Sequence, residues 1–168
     1  MSLVEECDVV VVGPGFGGLY SLYLLRQEGF DVKGVERGDG VGGTWYWNRY
    51  PGARCDVESL QYSYSFDPEL QQEWEWTERY AGQPEILKYA EHVSDRFDLE
   101  SLIAFNSTVE AADYDEITST WTITTNRDTY RSRFLVAATG CLSTTNLPDF
   151  EGLANFEGDV YHTGRWPH

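Results

Sequence analysis

The sequence predicts an α/β fold, a parallel sheet with flanking helices and a small antiparallel hairpin. Three observations carry this. Residues 8–12 are Asp8 followed by four consecutive valines, Gly13-Pro14-Gly15-Phe16-Gly17-Gly18 comes next, and Glu36 lies eighteen residues past Gly18. Strand, glycine turn, helix, second strand and terminal acid is the order that a dinucleotide site requires.

Each element has its own warrant. The valine run is a buried strand. A diphosphate needs backbone N–H donors at close range and the positive end of a helix aimed at it, which residues without a Cβ allow. Gly13 is expected to make the turn, Gly15 to admit the phosphate and Gly18 to let helix meet strand. Leu19, Leu22, Tyr23, Leu25 and Arg26 mark the helix, Gly29 is its C-terminal stop, and residues 30–35 form the second strand. Glu36 is placed to accept hydrogen bonds from ribose hydroxyls. Because it would repel a 2'-phosphate, this first site should take FAD or NAD and not NADP.

Composition narrows the function classes. With 28 acidic against 12 basic residues in 168, a formal charge of -16 and a pI near 4.3, the chain should repel nucleic acid and anionic membrane surfaces. No apolar run approaches the roughly twenty residues that cross a bilayer, and the N-terminus lacks the pattern of a signal peptide. Cys7, Cys55 and Cys141 are odd in number and widely spaced, which suggests neither a disulfide framework nor a metal site. A cytoplasmic protein with free thiols is expected.

Residues 38–80 show no clean period yet hold ten aromatic residues from Trp45 to Tyr80, too many to stay solvated. Gly40, Gly42 and Gly43 permit unusual backbone angles, and Thr44-Trp45-Tyr46-Trp47 supplies flat surfaces with polar edges. These could enclose a planar ring or build an aromatic satellite core. Arg49 and Arg54 beside this loop suggest an anion contact, or else surface ion pairs.

Further along, Pro84 can start a helix whose Ile86, Ala90, Val93 and Phe97 form one buried, structural face. His92 falls off that stripe and is expected on a solvated face. Residues 102–111 read as a third strand beside the second, and it includes Val109. Residues 121–125 and 129–133 flank Asn126-Arg127-Asp128 as a hairpin, and residues 134–138 read as a separate buried strand. It ends at Thr139-Gly140, where a small residue either admits a ligand or only turns the chain.

The chain closes on Phe156, Gly158, His162, Trp166 and Pro167, at the spacing of the signature of type I Baeyer–Villiger monooxygenases. The segment from Gly42-Gly43-Thr44-Trp45-Tyr46-Trp47-Asn48-Arg49-Tyr50-Pro51-Gly52-Ala53-Arg54-Cys55-Asp56 is similar, nearly letter for letter, to that family's flavin loop. Tyr62 to Phe66 and the Trp74, Trp76 pair continue it. The resemblance implies a Rossmann-like FAD-binding domain over residues 1–142 and a linker, residues 143–168, leading toward an NADP domain. FAD would rest on the Gly13 to Gly18 turn, including Phe16, with ribose on Glu36 and the ring system against Thr44, Trp45, Tyr46 and Trp47. Arg54, Cys55 and Asp56 would border NADP. Asp56 and Tyr62 would face the flavin, with Asp56 orienting a catalytic arginine. Val109 would hold adenine through its main chain, while His162 and Trp166 would couple domain movement to turnover. The implied reaction uses NADPH and dioxygen to convert a ketone to an ester or lactone through a flavin peroxide, in a dry pocket with positive charge nearby.

Two departures matter. Pro14 replaces the family's usual alanine, and Gly17 its alanine or serine, which the turn should tolerate. No second glycine fingerprint for NADPH occurs in the chain, so the fold is expected to be incomplete and the chain inactive alone. A related enzyme that oxidises nitrogen or sulfur, though such enzymes usually lack the Trp-Pro ending, and a non-catalytic nucleotide-binding module are the alternative readings.

Overall fold

The computed structural model describes residues 4–167. Six strands, β1 (Val4–Val12), β2 (Val32–Val35), β3 (Ile103–Ala104), β4 (Val109–Asp115), β5 (Thr120–Thr125) and β6 (Thr129–Ala137), form one sheet in the order β3-β2-β1-β6-β5-β4. The β3-β2-β1-β6 half is parallel and the β6-β5-β4 half antiparallel. The sheet is therefore mixed, and its antiparallel part has three strands where the sequence suggested a two-stranded hairpin.

Alternation along β1 divides the core. Val9 and Val11 face helix α1 (Phe16–Gln27) and helix α4 (Gln83–Arg96), packing with Leu19, Leu22 and Ala90. Val10 faces the other way and meets Val35, Ile123 and Tyr130, so the antiparallel strands fold back across that side. Opposite faces of one valine run are thus covered by different layers, as period-two side chains require.

Three expectations need correction. Residues 102–111 are not one strand: β3 stops after Ala104, Asn106 turns with φ 54°, and Val109 opens β4 at the opposite edge of the sheet. The break is fixed from a distance, because Asn106 N–H donates to Gly38 O at 2.8 Å and Ser107 N–H to Glu36 O at 2.8 Å. Residues 134–137 are not a separate buried strand either. They continue β6, and Phe134 is 47% exposed, since β5 pairs with β6 only as far as Ser132. His92 is not solvated but half-buried against Trp74, with ring centroids 5.4 Å apart.

The irregular stretch contains two short helices, α2 (Thr44–Trp47) and α3 (Pro68–Glu73), the latter capped by Asp67, whose side chain accepts from Leu70 N–H. Aromatic rings join them to the main layers: Phe16, Tyr62, Tyr64, Trp74, Trp76 and Tyr89 pack as a continuous cluster above α4. Beyond Ala137 the described residues form only two 3-10 turns, Leu153–Asn155 and Thr163–Arg165. No helix among the described residues is long and apolar enough to cross a membrane.

Candidate functional site

A cavity of about 760 Å³ lies outside the carboxyl ends of β1, β2 and β6, between the glycine turn and the aromatic loop. Open α/β sheets place ligands at such a crevice.

The turn's geometry separates its glycines into two groups. Gly13 has φ 93°, and a Cβ there would come 2.9 Å from Ala138 O. A Cβ on Gly18 would come 1.9 Å from Gly13 O. Both positions are glycine because backbone meets backbone. Gly15 and Gly17 are different: at Gly15 the nearest atom to a Cβ is Gly43 Cα at 3.5 Å, and at Gly17 nothing lies within 4 Å. These two line the cavity, at the N-terminus of α1, where no side chain caps the helix and no acid sits in the first turn. The first N–H groups of a helix have no intrahelical acceptor and carry the positive end of its dipole, so this cradle suits a phosphate.

At the end of β2, Glu36 is only 6% exposed and lines the same cavity. Its Oε1 accepts from Gly38 N–H at 2.7 Å. Burial raises its pKa above the ordinary carboxylate value, while the Gly38 N–H, the Arg37 charge and the Trp47 side chain partly oppose that shift. A buried acid with acceptor capacity beside a helix N-terminus is equipped to receive hydroxyl donors.

The aromatic wall comes from α2 and its surroundings. Thr44, Trp45, Trp47 and Tyr62 line the cavity, with Trp45 and Tyr62 packed edge to face at 5.7 Å. Gly43, at φ 54°, passes so near the turn that a Cβ there would lie 2.8 Å from Gly15 Cα. Phe16, Val109 and Gly140 complete the residues expected at the site that do line it.

Others lie elsewhere. Gly18 is buried behind the turn, and Tyr46 covers the Gly38 to Gly40 loop with its hydroxyl on Asp39. Cys55 is buried with Trp45, Ala81 and Ile86. Arg54 is exposed and bound to Glu78 and the Tyr80 carbonyl, Asp56 is exposed, and neither lines the cavity. Arg49 likewise lies outside, with its guanidinium 4.8 Å from the Tyr46 ring centroid. In the closing segment Phe156 is 61% exposed, His162 Nδ1 accepts from Gly164 N–H at 3.0 Å, and Trp166 packs on Tyr161 at 5.4 Å. Pro167 is exposed, and a Cβ on Gly158 would strike the Phe156 ring at 2.7 Å. This segment is held to itself and, through Arg165 Nε donating to Thr145 Oγ1 at 3.0 Å, to the stretch before it.

The sequence reading missed Arg37, whose guanidinium sits 4.3 Å from the Trp47 ring centroid, and Ser107, both lining the cavity. Arg37 was legible as the neighbour of Glu36 at a strand end. Ser107 was not, since only the break after β3 brings it there.

Residues 11–74 match the family model described as an NAD(P)-binding Rossmann-like domain. A Baeyer–Villiger monooxygenase of Pseudooceanicola batsensis is 48% identical over 164 residues, 96% of this chain and 30% of the relative. Over nearly its whole length, the chain matches the N-terminal portion of Baeyer–Villiger-type flavin monooxygenases. A solved structure of oxidized steroid monooxygenase bound to NADP superimposes with a TM-score of 0.89 at 58% identity, covering 97% of this chain and 32% of that one. The phenazine N-monooxygenase PhzNO1 of Lysobacter antibioticus is 46% identical over 95% of the chain and 30% of its own length. The chain thus spans about 30% of the length of the curated relatives it matches. Identity alone does not separate carbon from nitrogen oxidation among these monooxygenases, because both kinds stand at nearly the same distance.

Proposed function

We propose that this chain is the FAD-binding part of an NADPH- and dioxygen-dependent monooxygenase that converts ketones to esters or lactones. The observation that carries the reading is one cavity joining an uncapped helix N-terminus, a buried carboxylate and an aromatic wall. Its volume of about 760 Å³ falls within the usual range for cofactor sites. The residues present fit FAD: open glycine positions at Gly15 and Gly17 for the diphosphate, Glu36 for ribose hydroxyls, and Thr44, Trp45, Trp47 and Tyr62 for the ring system. Bound there, FAD would supply the redox chemistry, with NADPH as its reductant.

The chain's own residues bind, orient and exclude water. Backbone N–H groups of the turn neutralise phosphate charge, Glu36 fixes the ribose, and Val109 adds its main chain to the adenosine end. Trp45, packed against Tyr62, would hold the ring system and shield it from water. Arg54 and Asp56 are proposed catalytic residues on resemblance. Their exposure outside the cavity is consistent with work at a boundary toward another part of a longer protein, Asp56 orienting an arginine from there. Phe156, Gly158, His162, Trp166 and Pro167 would serve as the connection to the NADP-binding part, and residues 143–168 as the linker. A cytoplasmic setting belongs to the same reading and is supported by the free thiols Cys7, Cys55 and Cys141.

The N-monooxygenase relative at 46% identity supports a second reading, oxidation of an amine nitrogen. A longer chain containing these residues, given NADPH, FAD and oxygen, should yield esters from a ketone panel, and N-oxides without esters would favour the second reading. The present chain alone should yield neither.

A further inference from the structure

Helix α4 does more than fill the core, because two of its side chains reach the cavity walls. Gln83, buried in its first turn, donates from Nε2 to the Trp45 carbonyl in the aromatic wall. Tyr89, 1% exposed, accepts from the Tyr64 N–H at 2.8 Å. The Tyr64 hydroxyl in turn donates to Phe16 O at 2.5 Å.

Phe16 is the first residue of α1, and its carbonyl shares a rigid peptide plane with the Gly17 N–H. A bond that fixes the oxygen therefore fixes the direction of that N–H. Within α1 the Phe16 O is also the acceptor position for the Tyr20 N–H, so the Tyr64 hydroxyl adds a second bond to that oxygen, from outside the helix. Gly17 also lines the cavity. We propose that Tyr64 is a positioning residue for the bound dinucleotide's phosphate: its hydroxyl, set by Tyr89, holds the Phe16–Gly17 peptide so that the Gly17 N–H is presented to the anion. The proposal rests on the dinucleotide reading of the cavity. Burial by the aromatic cluster drives the Tyr64 phenol far above its ordinary pKa, so it remains a donor at working pH. The Phe16 ring is held separately by the rings of Tyr62, Tyr64 and Tyr89 at 5.3, 5.5 and 6.1 Å. Removing the hydroxyl alone therefore isolates the hydrogen bond.

The test compares Tyr64→Phe with Ile123→Ala, a buried β5 position outside the cavity whose core cluster includes neither Phe16 nor Tyr64, so that it lowers stability without touching the turn. FAD dissociation constants are measured where all three proteins are folded, and the Gly17 amide order parameter is measured by NMR without ligand. Tyr64→Phe should weaken FAD by roughly three- to tenfold and drop the Gly17 order parameter from a rigid value of about 0.85. Ile123→Ala should do neither. An unchanged Gly17 order parameter in Tyr64→Phe, or an equal FAD loss in both variants, overturns the proposal. A wild-type chain that binds no FAD overturns the dinucleotide reading, and the Gly17 order parameter still decides whether Tyr64 holds the peptide.

Discussion

A Cβ placed on Gly18 would lie 1.9 Å from the carbonyl oxygen of Gly13, whereas one placed on Gly15 would find its nearest neighbour, Gly43 Cα, at 3.5 Å. The first glycine of this pair serves the fold, and the second, on the proposed reading, serves a ligand. Gly18→Ala must move backbone and should destabilise the chain by about 3 kcal/mol or more. Gly15→Ala, at φ -75°, should fold normally yet lose FAD. Urea denaturation and FAD titration of both variants check this, and equal behaviour of the two would remove the distinction.

Gly17 offers the complementary case. It lies in the first turn of α1 with open space around it, so Gly17→Ala should raise stability by about 0.5 to 1 kcal/mol through the unfolded chain. A drop in the urea midpoint would show that the position is more crowded than the geometry states.

Glu36 should make both binding and stability depend on pH, with opposite signs. Its folded pKa is raised by burial, so the folded ligand-free chain holds the proton more tightly than the unfolded one. Its contribution to stability is therefore largest below the ordinary carboxylate range and is lost as pH rises through the raised value. Ribose hydroxyls favour the ionised form, so FAD affinity should rise across the same window. Comparing wild type with Glu36→Gln from about pH 5 to 8 isolates the group, and the variant should bind FAD about tenfold or more weakly at the upper end. Identical pH profiles for the two proteins would assign the dependence to other groups.

The thiols should differ sharply in reactivity. Cys141 is exposed and Cys55 buried, while burial and the neighbouring Asp31 and Glu5 carboxylates push the Cys7 thiol up to about 11. A disulfide reagent near neutral pH should therefore titrate Cys141 quickly and the other two only after denaturation. Fast reaction at Cys7 would mean that β1 frays where it pairs with β6.

What the sequence made legible is what the chain determines locally. The glycine turn, α1 and Glu36 sit within thirty residues of one another, and the unit ties itself together locally, with Gly13 N–H on Val35 O and Gly18 against Gly13 O. The split after β3 was hidden because it depends on Ser107 and Asn106 donating to Glu36 and Gly38, about seventy positions earlier. Residues 134–138 looked buried because Phe-Leu-Val-Ala-Ala is apolar, but burial depends on a neighbour that β5 ceases to provide past Ser132. His92 looked solvated because the helical period says nothing of Trp74, which reaches it from outside α4. Within the site, Arg54 and Asp56 are adjacent to the aromatic loop in sequence, yet Arg54 turns outward to Glu78. Arg37 reaches the cavity from just past the end of β2, whereas Ser107 reaches it from within the break after β3 that sequence could not locate.

The most direct test of the central claim is a titration of the purified chain with FAD, followed by absorbance and fluorescence, alongside Gly15→Ala and Glu36→Gln. The wild-type chain should bind one FAD saturably with a perturbed flavin spectrum, and this binding should be abolished by Gly15→Ala and weakened by Glu36→Gln. No binding by the wild-type chain, or binding that neither substitution changes, would contradict it.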